Sequence, residues 1–93
     1  MSYKSSVKIT NVQIEEHYGG WILICHKYGV EYLNLEFVRK FKKFKRCKTF
    51  LGLTRKLKKE WIGKEIVLID EIRGEHYTTT ISVDSVYDLL ARK

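Results

Sequence analysis

Between Arg39 and Lys64 the chain reads RKFKKFKRCKTFLGLTRKLKKEWIGK, twelve lysines and arginines against the one carboxylate of Glu60. This stretch alone carries +11, whereas the whole 93-residue chain carries +7, so the remainder sums to −4. Cations packed this densely suit one chemistry above others. Each one that pairs with a phosphate releases a condensed counterion from the nucleic acid, and that release drives binding. A local excess of one sign also steers polyanions to the surface that bears it. The candidate phosphate-binding residues are Arg39, Lys42, Lys43, Lys45, Arg46, Arg55, Lys56, Lys58 and Lys59. Among them Arg39, Arg46 and Arg55 can also read sequence, because a guanidinium grips guanine through two parallel N–H groups. The bland alternative is a solvated basic face, but ordinary surfaces intersperse their signs and this one does not.

Other chemistries find less support. His17, Cys25, His26, Cys47 and His76 are scattered, with no zinc-finger spacing, and no metal or other cofactor is expected. Cys25 lies in an apolar run and reads as a small core residue. Glu15–Glu16 and Asp70–Glu71 are adjacent carboxylates, which a strand points to opposite faces. With Lys64 they are ordinary strand-end charges rather than a converging nuclease site. No P-loop, nucleophile elbow or Gly-x-Gly-x-x-Gly run is present, so the expected activity is binding and not catalysis. Phe41, Phe44, Phe50 and Trp61 could stack on bases, yet their spacing places them in the core; Tyr28 and Tyr32 are freer.

The elements that must position the basic residues follow from the apolar pattern. Phe41, Phe44, Phe50, Leu51, Leu53, Leu57, Trp61 and Ile62 run through the block, so it folds rather than trailing as a charged tail. Leu35, Val38, Phe41, Phe44 and Cys47 recur at threes, with Phe37 and Phe41 at four. This predicts an amphipathic helix over 34–47, capped by Asn34, with Glu36 in the first turn and cations opposite the apolar stripe. After a short FLGL segment, Thr54 is the expected cap of a second helix in which Leu53, Leu57 and Trp61 share a line, and Gly63 is its C-cap. Glu60 follows Lys56 by four residues and can pair with it.

Around the block lie strands. Val7 and Ile9 sit on one phase and Val12 and Ile14 on the other, so the strand over 6–14 is broken near Thr10–Asn11 by a bulge or a turn. The run 15–20 ends in Gly19–Gly20, which is turn chemistry. WILICHKYGVEYLNL reads as a hairpin turning at Tyr28–Gly29. Residues 64–72 read as a strand buried on both faces at IVLI, Arg73–Gly74 as a turn, and 76–83 as its returning partner. Ser85 with Asp88 resembles a capping box opening a short helix with Val86, Leu89 and Leu90. The expected fold is a small single α+β domain over 1–93, with antiparallel β-hairpins and two or three short helices in the order β-β-β-α-α-β-β-α.

Composition bounds the setting. The chain has no proline and six glycines, so no linker or low-complexity segment is expected. WILIC and IVLI are too short to cross a bilayer. MSYKSSVKIT lacks an apolar signal core, and the expected location is intracellular, in the cytoplasm. Two cysteines match no disulfide framework.

Residues 59–70, KEWIGKEIVLID, resemble a segment of small archaeal transposon-encoded proteins related to AbrB-type swapped-hairpin transcription regulators. The resemblance covers about a dozen positions. The family's Gly-Asn-Ser turn is absent, and Lys58 stands where the family has a proline opening its short helix. The resemblance implies a DNA-binding homodimer. Together with the charge it gives the expectation of a small nucleic-acid-binding protein, a regulator or architectural factor favouring double-stranded DNA over RNA. The alternative is an interaction protein of a virus or mobile element that docks on an acidic surface of a host protein.

Overall fold

In the computed structural model, which describes residues 2–17 and 20–91, one long strand joins two hairpins. β1 (Ser2–Glu15) pairs through its first half with β4 (Glu65–Arg73), from Ser2↔Glu71 to Lys8↔Glu65. Through its second half it pairs with β2 (Trp21–His26), from Ile9↔His26 to Glu15↔Trp21. The register shifts between Ile9 and Asn11, so the break expected there is a bulge. The extra residue resets the alternation, and Val7, Ile9 and Val12 all reach the same buried face. Thr10 donates its hydroxyl hydrogen to the Cys25 carbonyl at 3.2 Å.

β3 (Gly29–Asn34) follows β2, and β5 (His76–Ile81) follows β4, each through a two-residue loop. The five strands lie in the order β3-β2-β1-β4-β5, every pair antiparallel. The fold is therefore α+β. Among the described residues the helices are α1 (Leu35–Arg39), α2 (Lys42–Lys45), α3 (Phe50–Trp61) and α4 (Val83–Ala91), four pieces because the first expected helix is divided in two.

The core lies between the helices and one face of the sheet. Val7, Ile9, Val12, Ile22, Ile24, Ile66 and Leu68 meet Val38, Phe44, Leu53, Leu57, Trp61 and Leu90 there. The line of Leu53, Leu57 and Trp61 is buried as its spacing requires. Trp61 also donates its Nε1–H to the Leu89 carbonyl at 3.3 Å, which ties α3 to α4. Gly20, at φ +86°, takes up a conformation that L residues avoid, and its carbonyl accepts from the Leu35 amide at 3.1 Å, fixing where α1 begins.

Several local expectations are corrected. The helix over 34–47 is two pieces. Asn34 does cap the first, its Oδ1 accepting from the Phe37 amide at 3.2 Å, but Phe41 is extended (φ −76°, ψ 134°) and starts a second turn. The physical reason is twofold. An unbroken helix would bring Arg39 against Lys42 and Lys43 at spacings three and four, and with the break Phe44 packs on Trp61 while Leu35 and Val38 stay buried. Thr49, not Thr54, caps α3: its Oγ1 accepts from the Gly52 amide at 3.0 Å, and FLGL is the first helical turn. A Cβ on Gly52 would lie 3.1 Å from that oxygen, so glycine leaves room for the cap. Thr54 instead donates back to the Phe50 carbonyl at 2.7 Å.

IVLI alternates rather than being buried twice: Ile66 and Leu68 face the core, while Val67 and Ile69 are half-exposed on the uncovered face. Cys25 lies on that same uncovered face with Trp21 and Leu23, so it is not a core residue. β5 stops at Ile81 because Ser82 caps α4, accepting from the Ser85 amide at 3.1 Å. Ser85 is buried and accepts the Val67 amide at 2.8 Å, a role quite different from a capping box with Asp88. The expected turn over 15–20 includes Tyr18 and Gly19, which lie outside the described residues.

Candidate nucleic-acid interface

The basic residues separate into three groups once the helices are in place. α2 and α3 lie side by side, joined by a contact between Lys43 Nζ and Glu60 Oε1. Glu60 also has Lys56 Nζ within 4.0 Å of its other oxygen, the i,i+4 pairing expected from the sequence. Both ammonium groups lie over the ring of the wholly buried Phe44, at 5.8 and 5.9 Å from its centroid. The lone carboxylate of the block is thus shared by two lysines whose ammonium groups also feel the face of one aromatic ring.

Lys42, Lys43, Arg46 and Lys56 rim a groove of about 560 Å³ whose floor is apolar, formed by Phe41 and by Leu90 and Ala91 at the end of α4. This is the first group: four cations from two neighbouring elements that line one open groove, with the Lys43 and Lys56 ammonium groups turned toward Glu60 at its side. Next to it, Lys43, Lys59 and Lys64 share a hollow of about 450 Å³ with Glu60, Glu65 and Asp88. There the charges alternate in sign, so a polyanion gains little.

A second group lies outside the groove. Arg55 is exposed on the outer side of α3, Lys59 is exposed at the edge of the mixed-sign hollow, and Lys58 is turned roughly 160° from Lys56 around the helix axis. Lys45 is exposed on α2, on the flank away from Lys43. The third group is Arg39 alone. Its Nη2 donates to the Cys47 carbonyl at 3.2 Å, and its guanidinium lies 5.9 Å from the Phe50 ring centre. Arg39 is half-buried and braces the segment between α2 and α3, so its donors are partly committed.

The aromatic residues divide similarly. Phe44 and Trp61 pack edge to face at 6.0 Å inside the core, which removes both from any stacking role. Phe41 is only half-buried and belongs to a row: Phe37 to Phe41 at 5.4 Å and Phe41 to Tyr87 at 6.3 Å. Phe37 is 37% and Tyr87 50% exposed. Tyr87 carries no signal in the sequence beyond its place on the polar phase of α4; only the tertiary fold puts it beside Phe41.

Away from the block, a third cleft of about 560 Å³ lies between the two hairpins and is lined by Glu31, Asp70, Tyr28 and Tyr77. His26, whose side chain is nearly buried, is fully engaged there. Its Nδ1 accepts from the Tyr28 amide at 3.2 Å, and Nε2–H faces Glu31 at 2.8 Å. No group of three or more His, Cys, Asp or Glu side chains gathers as metal ligands among the described residues. No described helix is long and apolar enough to cross a membrane. No family model, curated protein or solved structure matches the chain.

Proposed function

We propose that the protein binds nucleic acid through the paired α2–α3 face, with duplex DNA ahead of RNA, and that it acts by binding rather than by turnover. The observation that carries this reading is the groove rimmed by Lys42, Lys43, Arg46 and Lys56; Glu60, which Lys43 and Lys56 share, lines the adjoining hollow instead. Cations standing on two adjacent elements suit the two phosphate tracks that flank a groove of a duplex. Arg55 extends the contact along α3, and Arg46 is the arginine best placed to reach a base edge, since Arg39 is tied to Cys47. The resemblance of residues 59–70 to DNA-binding regulators points the same way. A regulatory or an architectural role both follow from such a surface.

The test is a salt titration of duplex binding. With about five phosphate contacts, log K against log salt should fall with a slope of about −4 to −5. A slope near zero would refute phosphate-driven binding. It would favour the second reading, an acidic protein partner seated by its apolar side chains on Phe41 and Leu90.

A further inference from the structure

The aromatic row of Phe37, Phe41 and Tyr87 is not explained by phosphate binding, nor by core packing alone. A core aromatic is covered, as Phe44 and Trp61 are; here the middle ring is half-buried and the two outer rings present much of their surface to solvent. Phe41 belongs both to this row and to the floor of the basic groove. Stacking surface and phosphate-binding cations therefore meet at one residue.

Charge sorts the two halves of this surface. Lys42 and Arg46 stand on the α2 side of Phe41, whereas Tyr87 stands on α4, a helix that carries carboxylates and no cation: Asp84 one turn before Tyr87, and Asp88 next to it in the chain and lining the adjoining hollow. Those carboxylates repel a phosphate from α4. What can reach Tyr87 is an uncharged, flat group whose backbone is held back over α2, and an unpaired nucleobase meets that description. A base in a duplex does not, because its faces are covered by its neighbours in the stack. The rings meet edge to face, inclined by 76° between Phe37 and Phe41 and by 64° between Phe41 and Tyr87, so a flat group lies on one ring at a time. We infer that the exposed Tyr87 ring, braced by Phe41 and Phe37, stacks on an unpaired base next to the duplex held by the basic groove, so that the preferred ligand is DNA with a single-stranded extension or gap. The inference rests on the nucleic-acid reading above and narrows its substrate class.

The experiment compares the whole protein on a blunt duplex and on the same duplex carrying an unpaired extension, with both extension polarities tried. Stacking of a base on an aromatic side chain raises affinity by roughly five- to a hundredfold, so the extended duplex should bind about tenfold tighter in at least one polarity. A 2-aminopurine at the first unpaired position should lose fluorescence on binding as it stacks. Tyr87→Ala should remove the advantage of the extension and the quench, while leaving the affinity for blunt duplex and the melting temperature close to wild type; Tyr87→Phe should keep both. Equal affinity for blunt and extended DNA overturns the inference and leaves the duplex reading standing, as does a Tyr87→Ala variant that binds both ligands equally more weakly. Failure of wild-type protein to bind either ligand would overturn the nucleic-acid reading itself.

Discussion

Replacing Phe44 by alanine should damage both the core and the basic face, and the structure sets the size of the first effect. The ring is 0% exposed and packs edge to face on Trp61 at 6.0 Å. Truncating a fully buried phenylalanine costs about 3–5 kcal/mol, and loss of a well-oriented aromatic pair pushes the value toward the upper end. A domain of this size has only about 5–15 kcal/mol in total. At about 4–8 °C per kcal/mol, the melting temperature should fall by at least about 12 °C. Urea unfolding followed by circular dichroism should show a lower midpoint with an unchanged m-value. Phe44→Leu, which keeps most of the volume, should cost less than about 1.5 kcal/mol, and the exposed Lys42→Ala should stay within about 0.5 kcal/mol of wild type. A Phe44→Ala loss below about 1 kcal/mol would refute the placement of this ring. The Lys43 and Lys56 ammonium groups would then also lack the support that aims them.

Two further substitutions probe the frame that carries the site. Gly20→Ala should cost about 1–2 kcal/mol for its left-handed backbone alone, with an added clash because the new Cβ would lie 3.0 Å from Leu35 Cδ2; thermal melting measures it, and a neutral result would contradict the geometry at the start of α1. Glu31→Ala leaves the buried His26 N–H without its acceptor and should cost about 1–3 kcal/mol, whereas Glu31→Gln, which retains an acceptor, should cost less in the same denaturant assay.

Most of the strands were legible because they carry their own signal, but β1 begins at Ser2 rather than at residue 6, since its polar opening residues show no apolar alternation and are held only by pairing with β4. The change of phase between Ile9 and Val12 announced a break, a bulge or a turn, which pairing across β2 makes a bulge, and the β-branched runs around Tyr28–Gly29 and Arg73–Gly74 announced the hairpins. The buried line of Leu53, Leu57 and Trp61 was equally plain. What the sequence hid was decided between elements. The apolar period runs unbroken from Leu35 to Cys47, yet the helix breaks at Phe41, because Phe44 has a partner in Trp61 that periodicity cannot reveal. Thr54 was the expected cap, but the cap is Thr49, because Gly52 leaves room for its hydroxyl. Of the nine cations marked from composition, four line one groove, Arg39 is drawn into bracing Cys47, and Lys45 and Lys58 leave on other flanks. One-dimensional charge density located the block but could not sort it. Tyr87 was missed because it lies far along the chain and meets Phe41 only across α4.

The most direct test of the central claim compares two charge reversals by fluorescence anisotropy on a labelled duplex at one fixed, low salt concentration. Lys42→Glu with Arg46→Glu alters the groove rim while sparing the Lys43–Glu60 contact; Arg55→Glu with Lys58→Glu alters the outer side of α3. Each lost phosphate contact removes about one unit of salt slope. The first pair should abolish detectable binding with the melting temperature preserved, and the second should weaken it less. A second pair that loses more affinity than the first, or a first pair that binds like wild type, would contradict the placement of the nucleic-acid face on the α2–α3 groove.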